Sequence, residues 1–133
     1  MESIEIAVRT GDRAITDLTD EVAAFSRGRG DGLVHVFAPH ATAGLALIET
    51  GAGSDDDLER TLASLLPRDD RYRHHHGSPG HGADHVLPAI ISPSLVVPVL
   101  GGRPALGTWQ SIVLVDTNVD NPDRTIRLSF LAG

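Results

Sequence analysis

The 133-residue chain contains no cysteine. Disulfide stapling, thiolate zinc sites and thiol nucleophiles are excluded together. Aromatic residues are scarce, with one Trp, one Tyr and three Phe. The core must therefore come from Leu, Ile, Val and Ala, and a hydrophobic content of 41% is enough to build one. Positive charge is also in deficit: 11 Lys plus Arg stand against 18 Asp plus Glu, a formal net charge of -7. Phosphate backbones and anionic headgroups gain nothing from such a surface, so nucleic acid and membrane partners are not expected. No apolar run approaches the roughly 18 residues of a membrane span, and the first ten residues lack a basic segment followed by an apolar one. A cytoplasmic protein with one domain over residues 1–133 is the expectation.

What is present is organised by period. Ile4, Ile6 and Val8 alternate with polar residues, which predicts a strand ending before the turn Gly11-Asp12. Ile15, Leu18, Val22 and Phe25 follow at helical spacing, with Thr16 or Asp17 as cap and Gly28 and Gly30 as stop. Strands are predicted over 33–38 and 44–49, joined by Pro39-His40-Ala41-Thr42. Ser54 and three aspartates open a second helix, whose apolar stripe is Leu58, Leu62, Leu65 and Leu66 and whose end is Pro67. A polar loop rich in His and Gly occupies 68–82, a length associated with function or disorder. A short helix over 85–91 tolerates Pro88 only near its first turn. The remainder reads as strands over 95–100, 106–116 and 125–131, with Pro98 at an edge or bulge and Gly101-Gly102 as a hairpin turn. Two main helices against a mostly antiparallel, β-rich sheet make an α+β fold.

All seven histidines lie between positions 35 and 85: His35, His40, His74, His75, His76, His81 and His85. In a chain without thiols, imidazole is the natural ligand for a divalent ion such as zinc, and three histidines leave a coordination position open. His35, inside an apolar strand, reads instead as a core or interface histidine. The loop histidines also fit a solvated surface, and no linear metal signature is present.

Ser94-Leu95-Val96-Val97-Pro98-Val99-Leu100-Gly101-Gly102, followed by Gly107-Thr108-Trp109-Gln110, resembles the signature of the secondary thiamine-phosphate synthase family. His40-Ala41-Thr42-Ala43 with Glu49, the helix-borne Asp57, Tyr72-Arg73-His74 and Asp84-His85 are similar to further segments of that family. The resemblance implies an α+β fold, a homotrimer, a histidine pocket, and a weak activity joining a pyrimidine pyrophosphate to a thiazole phosphate. The chain departs from the family at Ala41, after Glu49 and at Pro88.

With the resemblance added, His40, His74 and His85 are the expected ligands of one divalent metal, zinc in the first instance, or else donors to a phosphate. Glu49 and Asp57 are the candidate catalytic carboxylates, although Glu49 is equally a solvent-facing carboxylate at a strand end and Asp57 is more simply a helix-start charge. Thr42, Thr108, Gln110 and Arg124 are candidates for holding a small phosphorylated substrate, with Ser94 and Arg127 as further phosphate contacts. Trp109 is expected to anchor structure rather than stack on substrate. The absence of a Gly-rich phosphate loop and of a paired-aspartate motif weakens a synthase assignment. It leaves open a metal-dependent hydrolase or a non-catalytic trimeric metal-binding protein.

Overall fold

A computed structural model describes residues 1–133. In chain order it contains β1 (Glu2–Arg9), β2 (Ile15–Asp17), α1 (Thr19–Ser26), β3 (Gly32–Phe37), β4 (Gly44–Ile48), α2 (Ser54–Leu65), α3 (His81–Ile90), β5 (Ser94–Leu100), β6 (Arg103–Pro104), β7 (Ser111–Val115) and β8 (Asp123–Ala132). The strands form a five-stranded sheet, β1-β8-β3-β5-β6, and a three-stranded sheet, β2-β7-β4. Every strand pairing is antiparallel. The fold is α+β, with three helices where two main ones were expected. No helix is long and apolar enough to cross a membrane.

The layering follows from β7, whose sequence Ser-Ile-Val-Leu-Val shows no polar alternation because both of its faces are buried. Ile112 and Leu114 face the main core with α1 and the inner residues of β3, β5 and β8, among them Val34, Val97 and Leu128. Val113 and Val115 face the other way, onto Leu62 and Leu66 of the α2 end and Ala83 and Leu87 of α3. The order of layers is five-stranded sheet, three-stranded sheet, then α2 and α3. The outer face of the five-stranded sheet carries no helix and leaves Leu33, Val96 and Leu131 exposed.

Four sequence expectations need correction. The first helix begins at Thr19, because Ile15–Asp17 pair with Val113–Val115 as β2. Leu18 takes the cap position in place of Thr16 or Asp17, and Asp17, the residue before it, accepts the Thr19 N–H at 2.8 Å. The second helix starts at Ser54, but Gly53, in the left-handed conformation at φ 99°, takes the cap position. The third helix begins at His81, four residues early, and so carries Pro88 in its interior. The strand expected from residue 106 begins only at Ser111. Residues 107–110 form a tight turn in which Gln110 Oε1 accepts the Gly107 N–H at 2.8 Å, and Trp109 at its tip is 73% exposed. Pro98 is accommodated without loss of a ladder bond. Its carbonyl accepts Ala105 N–H at 2.8 Å, so its nitrogen faces the sparsely paired β6 side rather than β3.

Candidate metal centre

The helical start at His81 decides the site. His81 and His85 fall one turn apart on α3, so their rings share a face. His74 comes to the same place from the polar loop, its ring centroid 5.2 Å from that of His81 and 4.1 Å from that of His85. One ligand nitrogen from each of the three lies within 4.8 Å of the others. Two nitrogens on one tetrahedral zinc are about 3.3 Å apart, given bonds of about 2.0–2.1 Å, so small ring rotations close the set. The Nε2 atoms of His81 and His85 are already 3.0 Å apart.

A pocket of about 260 Å³ opens beside His74 and His81, lined by polar groups and glycines that include Asp69, Asp70, His76 and Ser78. His76 joins the cluster at 4.1 Å from His74 between ring centroids. Burial, followed by repulsion from His81 and His76, pushes the pKa of His85 below the usual imidazole value. Burial and the surrounding imidazoles do the same for His74. Neutral imidazole is the ligating form, so the crowding favours metal over protons. Hydrogen bonds from Ser78 and the contact with His81 hold the Asp120 carboxyl below the ordinary carboxylate range.

Behind the histidines, Asp84 is 1% exposed and is fully engaged. Arg68 forms an ion pair with it, Thr117 Oγ1 donates at 2.7 Å, and Asn118 Nδ2 donates at 3.1 Å. Arg68 and Asn118 also wall a more apolar cavity of about 240 Å³ between α2 and α3, in which no three histidine or carboxylate donors converge.

The expected site residues divide among separate places. His74 and His85 are brought together, but the third member is His81. His40 stands apart: its Nε2 lies 3.0 Å from both the backbone N and O of Thr125. Burial first, then the Arg124 charge, lowers its pKa, which suits a neutral ring accepting the Thr125 N–H. Thr42 and Arg124 do meet, at 2.8 Å, but Arg124 is committed to Asp116 through bonds of 2.6 and 3.0 Å. The side chains of that pair are 2% and 0% exposed. Glu49 lies exposed just past β4. Asp57 pairs with Arg60 on the surface of α2, which is the helix-start charge it resembled. Thr108 and Gln110 belong to the exposed turn. Ser94 bonds His35 at 2.7 Å and Arg127 bonds Glu5 at 2.7 Å. His81, Asn118 and Asp120 are the residues that sequence reasoning did not select. The i,i+4 spacing of His81 and His85 was the available signal, hidden by placing the helix start at 85.

The family model YjbQ, described as UPF0047 protein YjbQ-like, matches residues 3–133. UPF0047 protein Rv2556c of Mycobacterium tuberculosis is 65% identical over 133 residues, all of both chains. A UPF0047 protein of Archaeoglobus fulgidus is 34% identical, over 92% of this chain and 97% of its own. Among solved structures, the hypothetical protein APE1520 of Aeropyrum pernix superimposes with a TM-score of 0.89 at 32% identity, covering both chains completely. A YbjQ-like protein of unknown function from Sulfolobus solfataricus shares the fold, with a TM-score of 0.91 at 24% identity over 99% of this chain and 97% of that one.

Proposed function

Because the chain belongs to the YjbQ-like UPF0047 family, whose fold it also shares, we propose that it works as a metal-dependent enzyme on a small phosphorylated molecule, with His74, His81 and His85 as the ligands of a divalent ion, zinc in the first instance. The observation that carries this reading is the convergence of three imidazole nitrogens within 4.8 Å, two of them, on His74 and His81, lining a polar, open pocket. A divalent ion held by three histidines supplies Lewis-acid polarisation of a phosphoryl oxygen and lowers the pKa of a coordinated water. The chain supplies the rest. Asp84 with Arg68, Thr117 and Asn118 fixes the start of α3 and hence the two helix-borne histidines. Asp70, exposed among the pocket's lining residues, has no side-chain hydrogen-bonding partner in the chain and is the carboxylate available to receive a proton.

Hydrolysis of a phosphate ester or anhydride is the reaction best suited to this donor set. The thiamine-phosphate synthase activity implied by the signature around Gly107–Gln110 is the second reading, since the same ion would neutralise a pyrophosphate leaving group. A homotrimer is what the resemblance implies; the exposed Leu33, Val96 and Leu131 on the uncovered sheet face are an apolar patch that an assembly could bury. The test is metal analysis of untagged protein followed by a phosphate-release screen with and without added zinc. Near-stoichiometric metal and zinc-dependent release, both lost in His81→Ala, are expected. Absence of bound metal after zinc loading overturns the reading.

A further inference from the structure

Asp120, in the connection between β7 and β8, closes onto the histidine loop across about forty residues of chain. Its Oδ2 accepts the Ser78 backbone N–H at 3.1 Å and lies 2.9 Å from His81 Nδ1. Its Oδ1 accepts the Ser78 hydroxyl. No arginine reaches it; His81 is the one basic group within ion-pair distance. The loop is built around this pair. At Gly77, φ 82°, a Cβ would fall 2.8 Å from Asp120 Oδ2 and 2.9 Å from the His81 ring, so only glycine lets the backbone pass.

The chemistry of the donors fixes the tautomer. An ionised carboxylate only accepts hydrogen bonds, so the hydrogen must sit on His81 Nδ1. Asn118 Nδ2, 3.3 Å from the same nitrogen, is itself a donor and cannot serve it; it donates to Asp84 instead. His81 Nε2 is left with its lone pair, directed at the Nε2 of His85.

We propose that Asp120 is the positioning residue for His81: by accepting the Nδ1 hydrogen it fixes both the ring orientation and the tautomer that presents Nε2 to a divalent cation. This rests on the metal-pocket reading above. Carboxylate partners of this kind orient metal-binding histidines and raise their basicity, and their loss typically costs about 10–100-fold in metal affinity.

The experiment has two arms. In the first, nitrogen NMR of metal-free protein reads the His81 tautomer; the Nδ1–H form is expected in wild type and its loss in Asp120→Ala. In the second, cobalt(II) titration followed by visible absorption is expected to weaken by about 10–100-fold in Asp120→Ala. Asp120→Asn, which keeps one acceptor oxygen, should retain the Nδ1–H form and recover part of the affinity. Asp123→Ala, at the start of β8, removes only the exposed pair with Arg9; it serves as the control and should match wild type. An unchanged His81 tautomer in Asp120→Ala, or cobalt affinity within twofold of wild type, overturns the proposal. Failure of wild type to take up cobalt overturns the pocket reading itself, whereas the metal-free arm decides Asp120's hold on His81 independently.

Discussion

His81 Nε2 and His85 Nε2 stand 3.0 Å apart, one turn apart on the same helix. If His81 carries its hydrogen on Nδ1, toward Asp120 Oδ2 at 2.9 Å, then the hydrogen between the two Nε2 atoms belongs to His85. On the proposed reading, a divalent cation would take both Nε2 lone pairs, and the hydrogen on His85 would move to its Nδ1 or leave to solvent.

Single-histidine variants separate the cluster from the expected third ligand. His81→Ala and His85→Ala should abolish stoichiometric zinc binding, measured by plasma mass spectrometry after dialysis. His40→Ala should retain it, since His40 is turned toward the Thr125 backbone. Loss of metal in His40→Ala would relocate the site.

Stability of the metal-free protein should fall as the pH drops below about 6.5. The pKa values of His40, His74 and His85 are all lowered from 6.5 in the folded chain. Between each lowered value and 6.5 the unfolded chain binds more protons, so stability rises with pH through that window and is fully present above it. Thermal midpoints from pH 5 to 8, with chelator present, read this slope. A profile that rises toward acid would contradict it.

The Arg124–Asp116 pair should prove a structural element. Removing one partner leaves a buried charge uncompensated, a loss of about 3–5 kcal/mol for Arg124→Ala. Thr42→Val, which deletes one hydroxyl acceptor, should cost about 1–3 kcal/mol. Urea denaturation separates the two. Near-wild-type stability of Arg124→Ala would reassign that guanidinium to ligand binding.

Gly82→Ala probes how the loop docks. A Cβ there would sit 2.5 Å from Tyr72 Cβ and 2.8 Å from the His74 carbonyl oxygen. The Tyr72–His74 segment must move, at about 1–3 kcal/mol, and His74 moves with it. Weakened cobalt binding with retained helical circular dichroism is expected; unaltered binding would mean that His74 is dispensable.

Local signals in the chain were sufficient for β1, β3, β4, β8 and the body of α2, because alternation and helical spacing report burial on one face. They were misleading at Ile15–Asp17, where a single apolar residue, Ile15, fits either a helical or a strand pattern and pairing with β7 makes the choice. They were misleading again at Leu106–Gln110, where an apolar neighbourhood gives way to a turn closed by Gln110 on Gly107. Histidine identity and loop length marked the region of the site. The ligand set was not legible, because His40 and His81 look alike in one dimension.

The sequence by itself determined an α+β chain with an aliphatic core, no thiol chemistry, and a histidine-rich polar loop leading into the third helix. Only the tertiary structure decided that His74 meets His81 and His85, that His40 faces the β8 backbone, and that Asp120 closes on His81. The physical reason is range. Periodicity encodes which face of an element is buried, whereas the meeting of distant side chains depends on loops held by long-range contacts such as the half-buried Arg68–Asp84 pair.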